Sequence, residues 1–221
     1  MKIFISRNLD DNSIFSDLLS QHAEIIDRSL INFEAIPLPD ALKQQVLFFY
    51  SKNSIDFYFD QYESRKDQLY AVMGSASAKH LFKKIQREAD FIGVQDLSDT
   101  AAAFNAFAQD RTVCFVGANH SNDTIRKLSG DAENYDFTAV YNNDPIKNIE
   151  IESCDIYVFT SPMNVRTFFE NNSIKDKMVI SIGPSTAQAL NEFGLKNIIL
   201  SEESSERHLA LCCLKIIEDE I

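Results

Sequence analysis

The sequence predicts an α/β protein of two similar halves, each a small doubly wound parallel sheet, with a functional cleft between them. Three observations predict it. Short apolar runs alternate with amphipathic stretches along all 221 residues, the pattern of parallel strands joined by crossover helices. The chain repeats itself with a period of about 110 residues, which points to two copies of one unit. Each strand-to-helix turn carries small hydroxyl or glycine residues.

Strands are expected at Lys2–Ile5, Glu24–Ile26, Asn32–Ile36, Val46–Tyr50, Leu69–Met73, Phe91–Val94, Thr112–Val116, Tyr135–Tyr141, Asp155–Thr160, Met178–Ile182 and Asn197–Leu200. Helices are expected at Ser13–Gln21, Ser54–Tyr62, Ser77–Gln86, Thr100–Gln109, Asp123–Leu128, Asn164–Asn171, Thr186–Phe193 and Glu206–Glu218. The repeat aligns Val46–Phe59 with Ile156–Phe169, so that Phe49, Ser51 and Phe59 face Phe159, Ser161 and Phe169. It aligns Tyr70–Leu81 with Val179–Leu190, and sets Val113–Gly117 against Lys2–Ser6.

Two proline-bearing segments, Ile36-Pro-Leu-Pro39 and Asn142-Asn-Asp-Pro145, look like crossings between the halves, since proline interrupts a strand ladder and stiffens the chain. Two crossings suggest a middle segment inserted into a domain built from both chain ends. The repeat alone also permits simple tandem domains.

Composition excludes several function classes. Hydrophobic residues make up 45% and charged residues 24%, ordinary for a globular chain. No run of about 18 apolar residues suggests a membrane span, and the opening Met1–Arg7 has too short an apolar core for a signal peptide. The net charge of −12 repels nucleic acid, and no compact basic patch offsets it. The densest basic run, Lys79 to Lys84, reads as the solvated face of a helix. Cys114, Cys154, Cys212 and Cys213 form no Cys-x-x-Cys pair and have no histidine at metal-ligand spacing. They read as reduced core thiols in a cytoplasmic protein. His22, His80 and His208 read as solvated on helix faces. The dinucleotide, triphosphate and nucleophile-elbow fingerprints are absent from the sequence.

The turns are Ser6-Arg-Asn8, Ser51-Lys-Asn53, Gly74-Ser-Ala-Ser77, Gly117-Ala-Asn-His120, Thr160-Ser-Pro162 and Gly183-Pro-Ser-Thr186. In a parallel sheet they share the carboxyl edge, where open α/β sheets bind ligands. Free N–H groups and a partial positive charge at helix starts hold carboxylates or phosphates without a basic cluster. The simpler reading is capping. Ser161 before Pro162 makes a good N-cap, Ser185-x-x-Gln188 fits a capping box, and Gly194 fits a helix end. Paired hydroxyl turns in both halves favour a site. Tyr141 ends a strand beside the second crossing, either as a half-buried strand terminus or as a phenol that can donate a hydrogen bond or a proton.

Val158-Phe-Thr-Ser-Pro-Met-Asn-Val-Arg-Thr-Phe-Phe169, followed by Val179-Ile-Ser-Ile-Gly-Pro-Ser-Thr-Ala-Gln-Ala-Leu-Asn-Glu-Phe-Gly194, resembles the uroporphyrinogen-III synthase family. Ile3-Phe-Ile-Ser-Arg7 is similar to that family's opening strand, and Thr138-Ala-Val-Tyr141 to the strand that ends in its tyrosine. The order and spacing match over essentially the whole chain. The resemblance implies two flavodoxin-like domains joined by two crossing strands: residues 1–37 plus 146–221 as a discontinuous domain, and 38–145 inserted. It implies closure of linear hydroxymethylbilane to uroporphyrinogen III, with inversion of ring D and loss of water, without metal or organic cofactor.

Carried over by position, Tyr141 is the candidate donor to the leaving hydroxyl. Thr160, Ser161, Ser185 and Thr186 line one wall of the cleft. Ser51 and Ser77 are their repeat counterparts on the other, and Arg7 and Lys52 contact carboxylates of the linear tetrapyrrole. A monomer is expected, since no long apolar stripe is left over. Two alternatives share the fold: a non-catalytic two-lobed binding module for an anionic small molecule, and a flavin- or phosphate-binding flavodoxin-like protein.

Overall fold

The computed structural model describes residues 1–94, 96–121, 123–130 and 133–219. Asn122, just after the expected turn Gly117–His120, lies outside them. In chain order the elements are β1 (Lys2–Ile5), α1 (Ile14–Leu19), β2 (Glu24–Asp27), β3 (Ile31–Ala35), β4 (Val46–Phe49), α2 (Lys52–Phe59), β5 (Leu69–Val72), α3 (Ser75–Ile85), β6 (Phe91–Ile92), α4 (Leu97–Ala108), β7 (Val113–Ala118), α5 (Thr124–Leu128), β8 (Tyr135–Pro145), β9 (Ile156–Phe159), α6 (Pro162–Asn171), β10 (Met178–Ser181), α7 (Pro184–Glu192), β11 (Ile198–Leu200) and α8 (Glu206–Asp219). The chain divides into two compact units, Met1–Asn32 with Asp144–Ile221, and Phe33–Asn143. It passes from one to the other along β3 and along β8.

The first unit holds a parallel sheet in the order β11-β10-β9-β1-β2. Numbered within the unit this is 2-1-3-4-5, the flavodoxin-like order. The second unit holds the sheet β3-β8-β7-β4-β5-β6, parallel from β8 to β6. Its strands β8, β7, β4, β5 and β6 take the places of β2, β1, β9, β10 and β11. One architecture is therefore built twice, with the chain entering each copy at a different strand. Strand β3 is the addition. Ile36 N–H donates to Val140 O and Ile146 N–H to Leu30 O, so β3 runs antiparallel along β8.

Strand register corrects one part of the repeat. Ile3 pairs with Ile156, and Val113 pairs with Val46. Since Val46 is the counterpart of Ile156, Val113 matches Ile3 and not Lys2. A slip of one residue would turn every side chain to the opposite face. Val113 is fully buried, as Ile3 is, whereas Lys2 is not.

Near-continuous apolar strands are what a sheet covered on both faces requires, and β4 is buried at all four residues. In the first unit Ile3, Ile5, Ile156, Val158 and Ile180 pack beneath α1 and α8, and Phe4, Tyr157, Phe159 and Val179 beneath α6 and α7. In the second unit Leu47, Phe49, Tyr70, Val72 and Cys114 pack beneath α2 and α3, and Val46, Phe48, Ala71, Val113 and Phe115 beneath α4 and α5.

Helices α2, α3, α4, α6 and α7 begin two or three residues before the amphipathic pattern does. Their first turns hold small polar residues and prolines that satisfy or tolerate free N–H groups and carry no apolar stripe. Gly194 closes α7 with φ +85°, a conformation that glycine adopts without strain. Gly93 has a different role. A Cβ there would lie 2.6 Å from Met73 O and 2.8 Å from Thr100 Cγ2. All four cysteines are free thiols, three of them buried. Among the described residues no helix is long and apolar enough to cross a membrane.

Two outcomes follow from this packing. Gly93→Ala should lower stability by about 1–3 kcal/mol, read from the urea midpoint. Burial pushes the Cys114 and Cys154 thiols up to about 11 and the Tyr58 phenol up to about 12. These folded values lie above the unfolded ones, so their contribution is complete below the ordinary thiol value near 9 and is lost as pH rises through 11 to 12. Urea midpoints should therefore fall steeply between about pH 9 and pH 11.

Candidate functional site

The carboxyl ends of the parallel strands in each unit lead into helix starts of two kinds. Helices α2 and α6 start on serine. Ser51 Oγ accepts the Ser54 N–H at 3.1 Å, and Ser161 Oγ accepts the Asn164 N–H at 3.2 Å. Helices α3 and α7 start on glycine. Gly74 and Gly183 stand in extended backbone and supply no side-chain cap to the first-turn amides; in α7 the Thr186 N–H donates instead to the backbone Gly183 O at 3.1 Å. The alternation of a hydroxyl start and a bare glycine start recurs at equivalent strands of both units.

The predicted residues fall at these places with different surroundings. Thr160 is locked to β1: its N–H donates to Ser6 Oγ at 2.9 Å and its hydroxyl to Ser6 O at 2.9 Å. Ser161 accepts a second hydrogen bond, from Asn164 Nδ2 at 2.9 Å, while Asn164 Oδ1 accepts the buried Leu30 N–H at 2.8 Å. Thr186 is buried in the first turn of α7, and Ser185 beside it is exposed. The capping box expected at Ser185 does not form. Gly183 occupies the cap position and Pro184 the first helical one, which places Ser185 inside the helix. Ser77 lies half-buried in the first turn of α3.

The cations differ as well. Arg7 Nη1 donates to Glu206 Oε1 at 3.0 Å, and Ser13 Oγ donates to the other oxygen of that carboxylate at 2.9 Å. Arg7 is thus already oriented by an acid of its own unit. Lys52 is exposed at the first position of α2, and its side chain has no partner among the described residues. Two further expectations need correction. Gly117 does not begin a turn, because β7 continues to Ala118. His80 is not simply solvated: its Nε2 lies 2.8 Å from Asp56 Oδ1. His22 falls beyond the end of α1, and His208 Nδ1 meets Ser205 Oγ at 2.9 Å.

Tyr141 owes its position to a β-bulge. Along β7 and β8, Gly117 pairs with Ala139, but Ala118 pairs with Tyr141, so Val140 is the extra residue. A bulge turns the following side chain to the other face. Val140 and Tyr141, adjacent in sequence, therefore both pack beneath α2 and α3. The Tyr141 ring stacks on Phe57 at 5.0 Å between centroids and tilts against Phe33 at 5.9 Å. Its hydroxyl meets Ser51 Oγ at 3.2 Å. Burial raises the Tyr141 pKa and the Ser51 hydrogen bond lowers it, with a net rise. The phenol is therefore a neutral proton carrier at physiological pH.

On the other face of the sheet, Tyr50 Oη donates to Asp123 Oδ1 at 2.7 Å and accepts the Arg126 N–H at 3.1 Å. This brace at the same sheet edge could not be read from the sequence, because its members are more than 70 residues apart. No group of three or more His, Cys, Asp or Glu side chains among the described residues could hold a metal ion.

The sequence pattern of the family described as uroporphyrinogen-III synthase HemD matches residues 15–210. The chain belongs to the uroporphyrinogen-III synthase family. Members of this family are enzymes of tetrapyrrole biosynthesis and act on a small tetrapyrrole substrate. Solved structures agree on the fold. The uroporphyrinogen-III synthetase of Helicobacter pylori is 16% identical with a TM-score of 0.73, over 97% of this chain and 99% of that one. A mutant uroporphyrinogen III synthase from Thermus thermophilus is 13% identical with a TM-score of 0.62, over the whole of both chains. No curated sequence matches the chain significantly.

The two serines assigned to capping differ in what they hold. Ser161→Ala should cost about 1–2 kcal/mol, since it uncaps α6 and strands the Asn164 amide. Ser185→Ala should stay within about 0.5 kcal/mol. Urea denaturation of the two variants checks the contrast.

Proposed function

We propose that this chain is the lyase that closes hydroxymethylbilane to uroporphyrinogen III, inverting ring D and releasing water. The observation that carries the reading is the family match over residues 15–210. The substrate is a polycarboxylate, which suits many N–H and O–H donors distributed over helix starts better than one concentrated basic patch. This accounts for an anion-binding enzyme with a net charge of −12.

The chemistry asks for little beyond positioning. The pyrrole nitrogen pushes out the terminal hydroxyl, and the resulting azafulvene cation reacts at whichever carbon lies nearest. Unassisted closure gives the symmetrical isomer. The protein must instead present the substituted carbon of ring D, so that a spiro intermediate forms. Such positioning supplies several kcal/mol without a strong acid or base. The reaction is neither an oxidation nor a reduction, so donors and geometry are sufficient and no organic cofactor or metal is called for.

In this reading Tyr141 donates to the departing hydroxyl, and its raised pKa keeps the proton in place until then. Lys52 and Ser77, with Arg7, Thr160, Ser161, Ser185 and Thr186, bind the substrate. The proposed functional domains are 1–37 with 146–221 and 38–145, whose bounds differ by a few residues from those of the two compact units. The enzyme works as a cytoplasmic monomer.

The test supplies fresh hydroxymethylbilane and separates the porphyrin isomers after oxidation. The type III isomer is expected. Type I alone at the spontaneous rate, with the protein merely stabilised by the bilane, would identify a binding module instead. Tyr141→Phe should lower kcat by about 100-fold while its unfolding free energy stays within about 1 kcal/mol of the parent. Unaltered kinetics would remove Tyr141 from the mechanism.

A further inference from the structure

We propose that Ser51 is a positioning residue for Tyr141: its hydroxyl donates to Tyr141 Oη, freeing the phenolic proton for the substrate and linking it to the start of α2. The proposal rests on the assignment of Tyr141 as proton donor and replaces direct substrate binding by Ser51.

The hydrogen bonds around Ser51 decide where its proton goes. Ser54 Oγ donates to Ser51 O at 2.7 Å, so the Ser54 proton is committed. Ser54 Oγ accepts the Ser51 N–H at 3.1 Å, and Ser51 Oγ accepts the Ser54 N–H at 3.1 Å. This reciprocal capping box leaves the Ser51 O–H with two acceptors, Ser54 Oγ at 3.5 Å and Tyr141 Oη at 3.2 Å. The phenol is the nearer one. A chain then runs from the Ser54 amide through Ser51 Oγ–H to Tyr141 Oη. Each donor strengthens the next, and the positive end of α2 backs the whole row. When the Tyr141 proton passes to the departing hydroxyl, which leaves as water, the phenolate left behind is already hydrogen-bonded by Ser51.

Comparison of the two units shows that this contact is particular to the second. At the equivalent start of α6, Ser161 Oγ receives the main-chain N–H and the side-chain amide of Asn164, and Asn164 in turn holds Leu30. The same cap position there serves structure. In the second unit Ser54 replaces that asparagine, and the bulge at Val140 brings a phenol to the cap. The fold would stand with any capping residue at 51, whereas the phenol needs one with a hydroxyl proton.

A double-mutant cycle tests this in the full chain. Ser51→Ala should lower kcat about tenfold with KM unchanged, and Ser51→Thr, which keeps cap and hydroxyl, should restore it. Ser51→Gly, which keeps much of the capping preference and loses the hydroxyl, should behave as Ser51→Ala does; thermal melts of each variant verify that the fold is intact. In the Tyr141→Phe background, Ser51→Ala should have no further effect on kcat. An undiminished Ser51→Ala effect in that background, or one confined to KM, overturns the proposal and leaves Tyr141 as donor. A Tyr141→Phe enzyme with full kcat overturns the Tyr141 assignment itself.

Discussion

Parallel pairing is the constraint from which the site follows. Strands that run the same way must be joined by crossover helices, and each helix then starts on the same edge of its sheet. In the first unit that edge gathers Ser6, Thr160, Ser161 and Gly183; in the second it gathers Ser51 and Gly74. Groups that touch at this edge come from distant parts of the chain: Ser6 and Thr160, which hydrogen-bond, are 154 residues apart. No local motif could collect them. The register of β1 against β9 and of β4 against β7 does so twice, and both units put serine and glycine at corresponding helix starts.

Duplication also allowed the copies to diverge in use. The first unit ties its cap serine to Asn164 and its arginine to Glu206, so donors there are rigidly set by neighbouring side chains. The second unit inserts Val140 into β8, and that single residue moves Tyr141 from one face of the sheet to the other. Its phenol sits in an aromatic stack and meets the Ser51 hydroxyl, and its burial favours the protonated form. The uroporphyrinogen-III synthase reaction needs a polyanion held still and a proton delivered at one end. In the proposed reading, braced donors serve the first of these tasks and the buried phenol the second.

The sequence shows most of the architecture because its patterns are local. Strand β4 reads as Val46–Tyr50 because a short continuous apolar run, followed by the polar Ser51-Lys-Asn53, suits a strand in a sheet covered on both faces. The repeat of Ser51 and Ser161 shows at once because the flanking Phe49 and Phe159 recur. What stayed hidden depends on pairing. Sequence similarity aligns Val113 with Lys2, one residue off its counterpart Ile3, because apolar runs such as Ile3–Ile5 and Val113–Val116 look alike in either register. Ser185 resembled a cap because Gln188 follows at the right spacing, yet Gly183 and Pro184 had already started the helix. The segment Thr138–Tyr141 has no glycine or proline to mark a bulge, so the aim of Tyr141 could not be foreseen. Its place at a strand end allows either a buried terminus or a proton donor, the resemblance favours the donor, and its contact with Ser51 spans 90 residues of chain.

The central proposal is that amides and hydroxyls at helix starts bind the carboxylates of the tetrapyrrole. Titrating the isotope-labelled chain with uroporphyrinogen III while following backbone amide resonances addresses it directly. The account predicts that the amides of Ser75, Ala76 and Ser77 in α3 and of Ser185 and Thr186 in α7 move together at one ligand concentration, and that the macrocycle with esterified carboxylates leaves them in place. Shifts confined to one unit, or an equal response to the ester, would contradict it.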